Sequence, residues 1–431
     1  MRSTCREPSL RRSHRNSRRR CSFPAFHAHR SLSRRGSGCA SLNGPVNNSP
    51  QAVGCDLAIV GGGLAGGLLA YALSVKRPDL DVSLIEPEMK FGGNHVWSFF
   101  AADIAPEDRW IVAPFVDHIW DSYEVRFPAH RRRFDTGYSS IRSGTFDKQL
   151  RDLLPAGWAI NAGALDLSTT KVALDTQVTM TAKGVIDARG AADGSFLDVG
   201  WQKFLGQELQ LAAPHGLTAP IIMDASVAQE DGFRFVYVLP FTANRLFIED
   251  TYYSDGPEID HDVLSSRIDD YAQAAGWQVT AILSEESGAL PVTMGGDFEG
   301  YWASGGDAAK IGMRAGMFQA ATGYSLPLAV RTAAKIVSMQ DLSGDALARA
   351  LHDFAAAEWR TGGFYRLLNR MSFRAAEPQE RFLIYQRFYR LRPGLIERFY
   401  AGKSTLFDKV RILAGKPPVP IGRALKVLQE R

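Results

Sequence analysis

The residues that could do chemistry in this chain fall into two sets. The first is a pair of adjacent acids, Glu249 and Asp250, inside an aromatic and β-branched run (245–251, RLFIEDT). Successive side chains of a strand point to opposite faces, so Phe247, Glu249 and Thr251 share one face and Leu246, Ile248 and Asp250 the other. If one face lines a cavity, only one acid can serve it directly, and Glu249, between Phe247 and Thr251, is the candidate. A carboxylic acid in an aromatic-lined cavity has a raised pKa, stays protonated near neutrality and can act as a general acid. Spacing alone also fits a salt-bridged or solvent-facing glutamate. The second set is glycine-rich: Gly61-x-Gly63-x-x-Gly66, the spacing that lets a backbone approach a pyrophosphate. His95 lies in FGGNHVWS (91–98), whose paired glycines suit a loop closing over a ligand. A histidine there is also an ordinary hydrogen-bonded structural residue.

These sets need particular elements to position them. The apolar run 56–60 has strand length, the glycines open a small-residue helix, and a second apolar strand follows at 82–86. That strand–turn–helix–strand context is what a dinucleotide fingerprint requires, with the pyrophosphate at the positive helix N-terminus. Glu86 ends the second strand about 20 residues past the loop, where a carboxylate accepts from ribose hydroxyls. FAD or NAD is implied, and the fingerprint's place at the start of the folded region favours a tightly held FAD. VIDARG (185–190) reads as a buried strand returning to the nucleotide sheet. The runs 204–211, 219–223, 233–239 and 245–251 read as an antiparallel sheet, and 259–276 as a helix. Two later glycine segments compete for a place beneath a flavin ring. Spacing to the next helix favours Gly312, Gly316, Thr322 and Gly323 over the GGD turn, and Asp307 is then a loop residue. No metal site is expected.

The resulting class is α/β (α+β), with a leader at 1–52 and a nucleotide-binding domain at 53–200 and 286–345. An antiparallel substrate sheet follows at 201–285 and a helical C-terminal region at 346–431. Apolar residues make up 45% and charged residues 22% of the 431, ordinary for a globular protein. The net charge of +4 is unevenly spread: residues 1–50 hold 11 arginines and the single acid Glu7. The remainder has 39 basic against 45 acidic residues, and nothing in it suggests a nucleic-acid partner. The Arg- and Ser-rich leader should be disordered. It fits an organelle transit peptide, a basic arm, or upstream sequence beyond a mis-called start. Only Cys55 lies outside it, which suits a reducing compartment. No apolar run reaches the roughly 20 residues that span a bilayer. The stretch 364–400 interleaves aromatics with arginines, as either an interfacial helix pair or an inward-packed helical lobe would.

Several stretches together resemble the bacterial lycopene beta-cyclases, a family of FAD-dependent carotenoid cyclases. They are VGGGLA (60–65), GGNHVWS (92–98), YEVRFP (123–128), HGLTAP (215–220), IEDT (248–251), GMRAG (312–316) and ATGYSLP (321–327). LLNRM (367–371), FYAG (399–402) and RILAGKPPVP (411–420) complete the set, which spans everything but the leader. The resemblance implies a Rossmann-like FAD-binding lobe of para-hydroxybenzoate-hydroxylase type, and cyclisation of the ψ-ends of lycopene and related acyclic carotenoids to β-ionone rings. It raises Glu249 to the first acid of the family's acidic pair, with Asp250 and His95 as supporting candidates. It further implies reduced FAD, whose anionic ring stabilises the carbocation or itself relays the proton, and NADPH as electron source. The water-insoluble substrate implies a membrane surface on the cytoplasmic side, or in a plastid if the leader is a transit peptide. A flavin monooxygenase or isoprenoid reductase of the same fold is the competing enzyme class, and a flavin-holding protein without catalysis a third.

Overall fold

A computed structural model describes residues 53–415 and 419–429. The leader therefore lies outside the described residues. Three sheets organise the chain. The first runs in the order β8 (Ala159–Asn161), β2 (Val82–Glu86), β1 (Val53–Val60), β11 (Thr179–Asp187), β10 (Lys171–Leu174) and β9 (Ala164–Leu167), with β17 (Ala309–Lys310) also on β11. Its centre is parallel, β1 pairing in parallel with both β2 and β11. A central parallel strand is covered on both faces, which is why Leu57, Ala58 and Ile59 are consecutive, apolar and fully buried. The covering helices include α1 (Leu64–Lys76), α2 (Ser143–Leu153), α5 (Leu326–Ser338) and α6 (Gly344–Thr361), whose Leu68, Phe146, Val330 and Leu347 join one core.

The second sheet runs β16 (Val279–Gly296), β12 (Leu197–Leu211), β15 (Arg245–Ser254), β14 (Phe233–Thr242), β13 (Ile221–Asp224), β5 (Tyr123–Phe127) and β6 (His130–Phe134). Helix α3 (His261–Ala274) covers one face with Leu264, Ile268 and Ala272, spaced one helical turn apart, against Leu246 and Ile248. The opposite face carries Phe235, Tyr237, Phe247 and Tyr253. A third sheet, β3 (Val96–Phe100), β7 (Tyr138–Arg142) and β4 (His118–Trp120), leans on it. So do residues of the C-terminal helices α8 (Phe382–Phe388), α9 (Pro393–Tyr400) and α10 (Leu406–Leu413), while α7 (Gly363–Arg370) is tied to β16 through Asn369, and α4 (Phe298–Ser304) and α11 (Ile421–Gln429) join smaller clusters.

The sheets redraw the domain limits expected from sequence. The boundary at 285/286 falls inside β16, β12 begins before residue 201, and β5 and β6 belong to the second sheet although they lie within 53–200. The long β16 was not expected at all. Among the described residues it is an edge strand pairing with β12 alone, its register shifts at three places, and Ser284, Ser287, Gly288 and Pro291 dilute any alternation. Pairing along its length overrides that weak local preference. For the stretch 364–400 the structure takes the inward arrangement: Phe373, Tyr389 and Tyr400 are buried among Tyr123, Tyr138 and Phe233. Among the described residues, no helix is long and apolar enough to cross a membrane, and no three ligand-type side chains group to hold a metal ion.

Candidate active site

Glu249 sits where the alternation of β15 put it. In register it stands opposite Tyr237 of β14 and Gly206 of β12, and Gly206 stands opposite Glu286 of β16. Residues directly opposite share a face, so Tyr237, Glu249, Gly206 and Glu286 form one row across four strands. A Cβ on Gly206 would lie 2.3 Å from the Phe247 ring, so that ring leans over the gap between the two acids. Glu249 is deep in the protein yet keeps some accessible surface, as a side chain lining a cavity does. Its Oε1 accepts from the Thr251 hydroxyl at 2.5 Å. Burial foremost, and then the charge of Glu286, push its carboxyl up to about 8.

Glu286 was not singled out from the sequence, because the strand carrying it was not. It is 7% exposed. Its Oε1 lies 3.1 Å from His95 Nδ1 and its Oε2 accepts from the Val96 N–H at 2.9 Å. Reading 279–296 with period two would have placed Glu286 and Gly288 on one face. His95 thus joins the row through Glu286. Its loop also ties the row to the glycine turn, since the Gly92 N–H donates to the Gly62 carbonyl at 2.9 Å.

Asp250 is not brought to this side. It is fully buried on the α3 face, with Oδ1 2.8 Å from Arg234 Nε and Oδ2 accepting from the Tyr252 hydroxyl at 2.5 Å. Burial raises its carboxyl despite the arginine. It is a partner for Arg234, one strand thickness away from the cavity.

The glycine turn behaves as its spacing required. Gly61 has φ +109°, and a Cβ there would strike the Ala188 backbone at 2.8 Å. A Cβ on Gly66 would lie 1.9 Å from the Gly61 carbonyl. Gly63, the N-cap of α1, has nothing within 4 Å of its Cβ position. That helix start carries no side-chain cap and no acid in its first turn, so its positive end faces open space. Glu86 Oε2 accepts from the Gly62 N–H at 2.7 Å and Oε1 from the Glu88 N–H at 3.1 Å, holding the turn from β2. These features fit the pyrophosphate of a flavin dinucleotide.

The later glycine segment closes the ring of elements. Gly312 (φ +61°) directly follows β17 and Ile311, and its Cβ position is 2.9 Å from Ala65, beside the start of α1. Gly316 ends the following 3₁₀ turn in the left-handed region. Asp307 is exposed in the turn before β17. Thr322 is buried, its N–H donating to Gln319 Oε1 at 3.1 Å, and Gly323 (φ +69°) donates to the Gln319 carbonyl at 2.8 Å. Asn369 of α7 pins this segment to β16, donating to the carbonyls of Thr293 and Ala320 at 2.7 Å each. Tyr253, on the Glu249 face, donates to the Ala321 carbonyl at 3.2 Å. The fingerprint, the His95 loop, the Glu249 row and the 312–323 segment are therefore linked to one another by direct contacts.

A family profile described as Lycopene cyclase protein matches residues 56–426. A lycopene beta-cyclase of Pseudescherichia vulneris is 46% identical over 369 residues, 86% of this chain and 96% of that protein. One of Pantoea ananas is 45% identical over 375 residues, 86% of this chain and 97% of that protein. Among solved structures, a geranylgeranyl bacteriochlorophyll reductase-like protein of Thermoplasma acidophilum aligns with TM-score 0.53 at 15% identity, over 88% of this chain and 99% of its own. A protein described as a probable FAD-dependent monooxygenase of Pseudomonas aeruginosa aligns with TM-score 0.50 at 16% identity, over 77% and 98%. At such identities the structural likeness carries the fold alone.

Proposed function

The chain belongs to the lycopene cyclase family, and on that premise we propose that Glu249 is the general acid of its reaction. The activity is that of a lycopene beta-cyclase, closing the ψ-ends of lycopene to β-ionone rings through γ-carotene to β-carotene. A proton adds to the terminal C=C, the neighbouring double bond attacks the resulting cation, and a proton leaves the new ring. No electrons are exchanged overall. Glu249 supports the first step because its carboxyl, raised to about 8, carries a proton at neutral pH. The Thr251 hydroxyl donates to Oε1, which leaves Oε2 as the oxygen that holds the proton.

The residues around it serve the cation. Tyr237, Phe247 and Tyr253 line the same face, and aromatic π-systems attract positive charge while excluding water. Burial, and after it the charge of Glu286, which His95 and Val96 fix in the same row, favour the protonated form of Glu249. FAD would be held by Gly61, Gly63, Gly66 and Glu86, with Gly312, Gly316, Thr322 and Gly323 beneath its ring, and in reduced form it supplies an electron-rich surface against the positive charge. NADPH is the proposed source of those electrons. Related acyclic carotenoids are further proposed substrates, taken from a membrane surface on its cytoplasmic side, since such molecules do not dissolve in water.

What supports this reading is Glu249, deep in the protein on the sheet face that also carries Tyr237, Phe247 and Tyr253, with the Tyr253 hydroxyl reaching the 312–323 segment. A pigment profile tests it. Residues from Val53 onward, expressed in a lycopene-accumulating host, should yield β-carotene, and a folded, flavin-loaded Glu249→Gln variant should leave lycopene. Unchanged lycopene from a flavin-loaded parent would sink the proposal and bring oxygen- or NADPH-consuming chemistry forward.

A further inference from the structure

Four large apolar side chains on one short helix face solvent: Leu406 is 78% exposed, Phe407 73%, Val410 58% and Leu413 44%. They belong to α10, and at about 100° per residue they fall on one arc of roughly 120°. The opposite side of the helix carries Asp408, 1% exposed, and Ile412, which packs on the aromatic core. Lys409 and Arg411 flank the apolar arc, one on each side. This orientation is fixed. Thr405 and Asp408 form a reciprocal N-terminal cap, and the Asp408 carboxylate takes two bonds of 2.7 Å from Arg398 of α9. The helix cannot roll its apolar side inward without breaking both.

The surroundings are basic. Residues 387–413 hold seven Lys and Arg against Glu397 and Asp408, in a body that is otherwise acidic on balance. Lys403 and Arg411 are exposed, Lys409 lies over the Phe364 ring at 5.6 Å, and burial, followed by the nearby Arg411 charge, lowers the Arg387 pKa. Close to the start of α10 lies a cleft lined by Trp359, Arg366, Gly402, Tyr400, Gln319 and Tyr324. Its position next to α10 is held by Tyr365, whose hydroxyl lies 3.0 Å from the Ser404 hydroxyl. Tyr324 in turn lies 3.5 Å from the Tyr138 hydroxyl, within the tyrosine cluster that borders Glu249.

The geometry points to α10 as the surface by which this protein docks on a lipid bilayer bearing anionic headgroups, with the cleft at its side as the way from the bilayer toward Glu249. A convex apolar arc with cations on both flanks matches an interface, where the arc enters the acyl boundary and the long basic side chains reach the headgroups. Two other occupants fit less well. The leader at 1–52 carries 11 arginines and would meet like charge. A second copy on a two-fold axis would set Lys409 and Arg411 against themselves. The choice of a bilayer rests on the reading that the substrate is bilayer-borne, and the test separates the two.

The flavin-loaded full chain should float with vesicles of phosphatidylcholine and phosphatidylglycerol, and less with phosphatidylcholine alone or at high salt. Leu406→Gln with Phe407→Gln should lower vesicle binding at least tenfold while conversion of lycopene in detergent micelles stays at the parent level. Lys409→Gln with Arg411→Gln should remove the preference for the anionic lipid. Equal flotation of the apolar double variant and the parent would overturn the docking surface. So would a parent that is dimeric through α10, made monomeric by the double variant with vesicle binding unchanged. Absence of β-ring product in micelles from a parent that floats would count against the cyclase chemistry and leave the docking surface standing.

Discussion

Glu249 and Glu286 stand two strands apart on one face of the second sheet, with only Gly206 in the row between them. Two carboxylates so placed do not ionise independently. Glu286 is held by the His95 ring and by the Val96 N–H. Glu249 has one hydroxyl. Burial first, and the charge of Glu286 second, favour the protonated form of Glu249.

That asymmetry sets a pH dependence. With its carboxyl raised to about 8, Glu249 is protonated below that pH and deprotonated above it. Cyclisation should be flat through neutrality and fall tenfold per unit as pH rises past about 8. Glu249→Gln should lose at least a thousandfold in rate with flavin content unchanged, read by product formation at several pH values on the reduced enzyme. A variant retaining a tenth of the activity would remove Glu249 from the chemistry.

Replacing Glu286 by Gln removes the neighbouring negative charge. The Glu249 carboxylate then forms more easily, so the alkaline fall in rate should move to lower pH. For a charge two strand spacings away, roughly 10 Å, at an effective dielectric near 20, the move is about one pH unit. A purely structural role for Glu286 would lower the rate evenly at all pH values and leave the profile's shape alone.

Asp250 should behave as a structural partner. Asp250→Ala leaves Arg234 buried without its counter-ion, which costs about 3 kcal/mol or more. Denaturant titration should show that loss. Turnover per folded, flavin-loaded molecule should stay within a few-fold of the parent, in contrast to Glu249→Gln.

Gly66→Ala tests the nucleotide turn. Its Cβ would meet the Gly61 carbonyl at 1.9 Å, so the turn must open and the N-terminus of α1 must leave its place. The purified variant should carry little flavin absorbance. Adding FAD should restore it at best partly.

The sequence by itself determined the nucleotide turn, because Gly61, Gly63, Gly66 and Glu86 act within one local unit whose spacing is its geometry. It also determined which acid of the pair faces the cavity side, since alternation along β15 is a property of any strand and separates Glu249 from Asp250. Only the tertiary structure decided what Glu249 would meet. Glu286 lies 37 residues further on in the sequence, on an edge strand with little local preference to be one, and it joins the row only through pairing with β12. The same holds for the C-terminal helices: their composition fits an inward or an outward face, and the choice is made by contacts. Aromatics at 373, 389 and 400 found partners in the sheet, while Leu406 and Phe407 of α10 were turned outward by the Asp408–Arg398 pair. Local spacing fixes which side chains share a face, and only long-range packing fixes what that face is against.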